Sequence, residues 1–151
     1  MSEVNDLIQR IDLMRSEMKV VVESTDLKLE ICPGWRIKDL LGHITAWEIV
    51  IHKAIQTYLA GGPPYFLREQ DFDLFNKAEV EKRSDWGLEK VIREWEEERE
   101  NLKKTILKLK ETDLSIEMVL PWGSDRTVYE LIEIIEEHES EHMEDIKKAK
   151  K

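Results

Sequence analysis

Apolar residues recur along most of the chain at intervals of three and four, which is the spacing of one face of an α-helix. Near the C-terminus, for example, Val128, Leu131, Ile132 and Ile135 form such a stripe. The strict alternation that is typical of a half-buried strand is nearly absent. The pattern predicts four long helices, at residues 4–22, 37–59, 87–110 and from Thr127 onward.

Short breaking sequences separate these predicted helices. CPGW at residues 32–35 and GGPP at residues 61–64 combine proline with glycine, and neither residue suits a helix interior. Thr127 and Glu130 have the spacing of a capping box, in which each side chain satisfies a free backbone amide at the start of the last helix.

The connection at residues 65–85 is longer than a helical bundle needs, and the pattern places one short helix in it near residues 74–81. A long connection of this kind indicates either a lid over a site or an arm used in dimer formation. Four amphipathic helices without strands predict an all-α fold, a four-helix bundle, in a single domain over residues 1–151.

The net charge of −10 and the pI of about 5.0 predict a surface that repels phosphate backbones and anionic lipid. We therefore expect neither nucleic acid nor membrane as a partner. The sequence lacks a signal-peptide pattern and its one cysteine, Cys32, has no internal partner, so the expected location is the cytoplasm. The basic C-terminal run at residues 147–151 suits the negative end of a helix dipole.

The sequence HESEH at residues 138–142 is the most distinctive chemical feature of the chain. His138 and His142 are four residues apart and continue the apolar stripe of the last helix, so both imidazoles can reach one ion. HExxH also occurs in zinc proteases, which take a third ligand from farther downstream. No histidine follows His142, so a zinc protease is a remote alternative.

A third ligand must come from upstream, where His43 and His52 both lie on the second predicted helix. Helical geometry leaves the choice between them open. The apolar neighbours of His43 favour it only modestly.

Three segments of the chain resemble the DinB-like superfamily. GWRIKDLLGHITAWE at residues 34–48 resembles its second helix, and RTVYELIEIIEEHESEHMEDI at residues 126–146 resembles its last helix. DFDLFNKAEVEKRSDWGLEKVIREW at residues 71–95 is similar to the loop and third helix. The resemblance implies a metal-binding four-helix bundle, although Arg36 stands where the family often has Ser or Thr.

The resemblance also implies a ligand set and a class of chemistry. The metal ligands would be His43, His138 and His142, holding a divalent transition metal such as zinc or nickel with at least one position open. Glu139 and Glu48 could orient a ligand or act as a base; as an alternative, each is a solvated or capping glutamate.

Members of the superfamily include metal-dependent transferases and isomerases that use low-molecular-weight thiols such as glutathione, bacillithiol or mycothiol. The predicted function is therefore a metal-dependent enzyme acting on a small molecule, as a thiol S-transferase or as a hydrolase. A non-catalytic metal- or ligand-binding or interaction protein is the alternative. A homodimer is compatible with the resemblance. Trp35 and Trp122 each border a glycine turn, which favours packing at corners over lining a site.

Overall fold

Four long helices pack side by side, and a fifth, shorter helix lies within one of the connections. In the computed structural model, which describes residues 2–151, a small hairpin and one 3₁₀ helix complete the fold. The helices are α1 Glu3–Glu23, α2 Ile37–Leu59, α3 Phe72–Lys82, α4 Leu88–Ile106 and α5 Val128–Ala149. The predicted all-α four-helix bundle is confirmed. Within the described residues, no helix combines the length and apolarity needed to cross a bilayer.

Local side-chain bonds set the starts of the two helices that carry the histidines. The Thr127 hydroxyl accepts a bond from the backbone N–H of Glu130, and the Glu130 carboxylate accepts one from the N–H of Thr127, both at 3.1 Å. The predicted capping box is therefore present. At the start of α2, where Arg36 cannot act as Ser or Thr would, the Asp39 carboxylate accepts from the Arg36 N–H at 3.0 Å.

The sequence predicts no strands, and this prediction is wrong for one short region. β1 Glu117–Val119 pairs with β2 Asp125–Thr127 as an antiparallel hairpin directly before α5. Each strand has only three residues, which is too short for an alternating pattern to be recognised. Gly123 in the turn has φ +96°, a left-handed conformation that glycine adopts at little cost.

The third long helix is also shorter than its periodicity predicts. α4 ends at Ile106, and a 3₁₀ helix at Glu111–Ser115 follows and buries Leu114. The Asp113 carboxylate accepts a bond from the N–H of Lys110 at 2.7 Å. A local bond of this kind competes with helix continuation, and apolar spacing does not reveal it.

The core consists of two apolar clusters separated by a polar layer. The first cluster includes Leu7, Ile55, Leu102 and Ile135. The second cluster lies nearer the opposite end of the bundle and includes Met18, Leu41, Trp95 and Met143. Between the clusters each long helix contributes one buried charged side chain, namely Arg15, Glu48, Arg99 and Glu139.

A glycine beside the second-helix histidine lets the α3–α4 connection approach closely. A Cβ atom at Gly42 would lie 2.9 Å from Cδ of Arg83. Arg83 is only 2% exposed, and its Nε donates to Glu94 at 2.7 Å. This contact holds the connection against α2 one residue from His43.

Candidate metal centre

Three histidines from two helices, α2 and α5, converge on one another. The Nε2 atom of His43 lies 3.1 Å from that of His138 and 3.1 Å from that of His142, and the last two are 3.0 Å apart. We refer to His43, His138 and His142 as the histidine triad. Their ring nitrogens form a group that could hold a metal ion. Their role as ligands stays a prediction.

The triangle of nitrogens cannot be satisfied by hydrogen bonds alone. A ring nitrogen either donates or accepts, so at least one of the three pairs must bring together two donors or two acceptors. A shared cation removes this conflict, because all three lone pairs can then point at it. The centre of the triangle lies about 1.8 Å from each nitrogen, which is close to the ~2.0–2.1 Å of a zinc–imidazole bond. The donor set therefore fits a divalent transition metal.

The surroundings keep the triad unprotonated. Burial, reinforced by the two neighbouring imidazoles, lowers the pKa of His43 to about 3. Burial and the adjacent His142 lower the pKa of His138 to about 3. Burial also lowers the pKa of His142, although Asp145 opposes that shift. Neutral imidazoles with free lone pairs are the form that binds metal.

Two further residues act on the orientation of the rings. Nδ1 of His142 lies 3.0 Å from Oδ2 of Asp145, so Nδ1–H donates to the carboxylate and Nε2 is left as the acceptor. The Trp35 ring packs on His43 with 4.8 Å between centroids. Sequence reasoning missed the role of Asp145, although its position three residues after His142 on the same helix face could have indicated it.

His52 lies apart from the triad and has its own partners. Its Nδ1 atom is 2.8 Å from the Glu98 carboxylate, and its Nε2 atom is 2.7 Å from the Thr105 hydroxyl. Both ring nitrogens are thus engaged between α2 and α4. Of the two candidates that helical geometry left open, the structure brings His43 to the site.

Glu48 and Glu139 lie at the centre of a buried ion network with Arg15 and Arg99. Arg15 Nη2 is 3.0 Å from a carboxylate oxygen of each glutamate. Arg99 Nη2 bonds to Glu48 and lies 3.4 Å from Glu139. We call these four residues the ion network. Both glutamates are almost fully buried, at 3% and 0% exposure, so the solvated or capping alternative is wrong for both.

The remaining polar atoms of the ion network are also bonded. Trp95 Nε1–H donates to Glu139 at 3.2 Å, and the Arg15 guanidinium lies 4.1 Å from the centre of the Trp95 ring. Burial raises the pKa of Glu48, and the two arginines oppose that shift. Sequence reasoning missed Arg15 and Arg99, although each interrupts an apolar stripe at helical spacing, as Arg15 does between Ile11 and Met18.

A cavity of about 340 Å³ opens beside the triad. Its lining is mostly aromatic and aliphatic. Trp122, from the hairpin turn, lines it, so this tryptophan does more than pack at a corner. The connection at residues 65–85 contributes Phe72 and Asn76. The Trp47 indole N–H donates to Oδ1 of Asn76 at 2.8 Å, which joins α2 to α3 across the cavity wall.

The model of the DinB superfamily matches residues 25–146 of the chain. No match was found among curated protein sequences.

Solved structures of the same fold cover nearly the whole chain. The colibactin self-resistance protein ClbS in complex with double-stranded DNA has a TM-score of 0.81 at 14% identity, covering 100% of this chain and 97% of ClbS. DfsB, a sibling lethal factor precursor, has a TM-score of 0.81 at 17% identity, covering 99% and 96%. An uncharacterised protein from Clostridium difficile 630 has a TM-score of 0.79 at 14% identity, covering 99% and 97%. At these identities the likeness establishes the fold alone.

The expectation that nucleic acid is excluded is wrong. ClbS, which shares this fold, is itself bound to double-stranded DNA. The expectation rested on a net charge of −10, which sums over the entire surface. Contacts to phosphate depend instead on the local arrangement of basic side chains, and an acidic total does not forbid them.

Proposed function

The chain belongs to the DinB superfamily, and on that premise we propose that it is a divalent-metal-dependent enzyme acting on a small molecule at the histidine triad. The observation that carries the proposal is the closed triangle of Nε2 atoms, with sides of 3.0–3.1 Å, whose conflicting hydrogen-bond roles a shared cation would resolve. The cavity beside it offers room for a substrate.

In this proposal His43, His138 and His142 hold the metal as neutral ligands, and Asp145 orients His142. A divalent ion held by three imidazoles supplies Lewis acidity, which activates water or a thiol and polarises a substrate. Because structural zinc sites have four protein ligands, a set of three favours chemistry over a purely structural role. Imidazole ligands suit zinc or nickel.

Glu48 and Glu139 act as positioning residues in this proposal. Their oxygens already accept bonds from Arg15, Arg99 and Trp95, so they are poorly placed to receive a proton from a substrate. The ion network contains one charged residue from each long helix, and it sets how α2 and α5 face each other. The distances within the triad depend on that arrangement. The exposed Glu141, at the edge of the cavity, is the carboxylate left for proton transfer.

The reaction class is a thiol S-transfer to a small electrophile or a hydrolysis. The zinc-protease alternative finds little support, because the third imidazole comes from upstream α2 and Glu139 is engaged with arginines. A non-catalytic ligand-binding protein remains the competing function. A binder saturates with ligand but gives no turnover, which separates the two.

The test is metal content and turnover in matched variants. Wild type should hold about one transition-metal ion per chain by plasma mass spectrometry, His138→Ala should lose it, and His52→Gln should keep it. Turnover of a panel of esters, epoxides and activated halides, with and without thiol, should depend on the ion. If His138→Ala retains a full equivalent of metal, the proposed site is wrong. Metal binding without turnover would favour the ligand-binding protein.

Contact with nucleic acid is a second candidate function, supported by the complex of ClbS with double-stranded DNA. In this chain the exposed lysines at positions 147, 148, 150 and 151 gather at the end of α5 and are the natural place for phosphate contacts. Anisotropy of a labelled 30-base-pair duplex should then rise on titration at low salt, with affinity falling as salt increases.

Two double variants, each with two lysine charges reversed, serve as the test and its control. Lys148→Glu with Lys151→Glu should weaken binding, whereas Lys104→Glu with Lys108→Glu, at the other end of the bundle, should not. Equal affinities for the two pairs would place any contact elsewhere. No binding at low salt would remove this candidate.

A further inference from the structure

We infer that the cavity beside the histidine triad takes a substrate with an uncharged, flat, apolar body and one polar group directed at the metal. The inference rests on the proposed metal-dependent function and names its substrate class.

Three aromatic side chains form a connected part of the wall. The ring centroid of Trp47 lies 5.2 Å from that of Phe72 and 5.9 Å from that of Trp122, while Phe72 and Trp122 are 6.3 Å apart. All three pairs meet edge to face, at angles of 73–87°. Such contacts are favourable in themselves and present ring faces and edges to a flat apolar group. Isoleucines complete the apolar part of the lining, at positions 44, 51, 134 and 135.

The aromatic wall is held in place by the segments that carry it. The backbone N–H of Leu67 donates to the carbonyl of Pro121 at 2.9 Å, and the Gln70 side-chain amide donates to the same carbonyl at 3.2 Å. These bonds join the 65–85 connection to the hairpin turn that carries Trp122. The wall is therefore largely formed before a ligand arrives, which limits the entropy lost on binding.

Outside the triad, three polar side chains line the cavity, and none is a cation. No lysine or arginine lines the cavity within residues 2–151. The Glu48 carboxylate is bonded to Arg15 and Arg99, and the exposed Glu141 is negative. The Asn76 carbonyl oxygen accepts from Trp47, so its amide N–H groups are left as the neutral donors.

The charges of the lining side chains favour a substrate with an uncharged body. The group directed at the metal would meet the positive charge of the ion. A carboxylate elsewhere on the body would lose hydration against the apolar wall, where no basic side chain offers a countercharge, and Glu141 would repel it. A cationic body would be repelled by the ion, because three neutral imidazoles leave its charge uncompensated. An uncharged body with one donor group toward the triad meets neither cost. The cavity volume of about 340 Å³ suits a substrate of one or two rings.

Three hydroxamic acids on the zinc-loaded protein test the inference by calorimetry. 2-Naphthohydroxamic acid has a neutral flat body, 6-carboxy-2-naphthohydroxamic acid adds one carboxylate, and acetohydroxamic acid keeps only the metal-directed group. We expect the first to bind at least about tenfold more tightly than either of the others. Equal or tighter binding of the carboxylate compound would overturn the inference.

Two variants and a control connect any preference to this cavity. Trp122→Ala should keep one zinc per chain but lose about tenfold in affinity for the naphthyl compound. Phe72→Arg introduces a cation from a half-exposed position and should reverse the preference toward the carboxylate compound. Leu74→Arg, on the same helix but outside the cavity lining, should change neither. A preference unaltered by both cavity variants would contradict the assignment.

Metal content separates failure of this inference from failure of the proposed function. If wild type holds zinc but prefers the charged compound, the metal site stands and the substrate class is wrong. If wild type holds no metal, the proposed function fails, and 2-naphthamide on the metal-free protein still tests the cavity. Saturable binding that Trp122→Ala weakens would then support an apolar ligand site, and no binding would overturn it.

Discussion

Two polar clusters draw residues from both α2 and α5, and they differ in how their hydrogen-bonding and charge requirements are met. In the ion network, two arginines face two glutamates, and Trp95 together with backbone carbonyls takes up the remaining bonds. In the histidine triad, three neutral imidazoles aim the same kind of nitrogen at one point. Glu139 of the first cluster and His138 of the second are neighbours in the chain.

The difference indicates what each cluster is for. Buried polar groups in native proteins are almost always paired, so a balanced network is sufficiently explained by structure. A buried cluster that is left with an unmet requirement agrees with the proposed binding of a metal ion. We expect loss of a network residue to affect folding first, and loss of a triad residue to affect metal binding first.

Arg99→Met gives the largest expected effect and would break the balanced cluster. It leaves two buried glutamates sharing one guanidinium, so we expect a loss of about 3–5 kcal/mol in the free energy of unfolding. Urea unfolding of the metal-free protein, followed by circular dichroism, measures it. Glu133→Ala is the control, because its pair with Arg10 is partly exposed and should be worth less than about 1 kcal/mol. Similar losses in the two variants would show that the network is not a structural centre.

The pH dependence of the free energy of unfolding of the metal-free protein tests whether the fold keeps the triad neutral. The folded-state pKa of His43 and His138 is about 3, below the ~6.5 of an unfolded histidine. Between these values the unfolded chain binds more protons, so stability falls as pH falls from about 6.5 toward 3.

Each of these two histidines should contribute a slope of up to about 1.4 kcal/mol per pH unit within that window. Urea unfolding at pH 7, 6 and 5 should show a smaller slope for His138→Ala than for wild type. Comparing the two proteins cancels the contribution of carboxylates near pH 5. Identical slopes would mean that His138 is not held neutral by the fold.

Asp145→Ala gives the smallest expected effect and tests how the triad is oriented. Loss of the acceptor for His142 Nδ1–H should weaken zinc binding by about tenfold, the lower end for such residues, since the carboxylate is partly exposed. Competition with a chromophoric chelator measures the affinity. Glu144→Ala removes a neighbouring charge without touching the triad and should leave the affinity nearly unchanged. Equal affinities for the two variants would remove Asp145 from the site.

Helical periodicity predicted most of the fold from sequence. The predicted bounds of α2 agree with the structure at both ends, and the capping box at Thr127 opens α5 as expected. The hairpin and the early end of α4 escaped prediction, because three-residue strands and the side-chain bond of Asp113 leave no periodic signal. The argument from net charge against nucleic acid failed because a net charge says nothing about where the basic side chains lie on the surface.

By itself, the sequence determined which face of each helix is buried, and with it the pairing of His138 and His142 on one side of α5. A helix repeats every 3.6 residues, so neighbours three and four apart are known without any partner. Only the tertiary structure decided that Arg15 and Arg99 balance Glu48 and Glu139, and that Trp122 reaches the cavity. Contacts between elements depend on how the helices are rotated and shifted against one another, and side-chain packing along their whole length sets this arrangement.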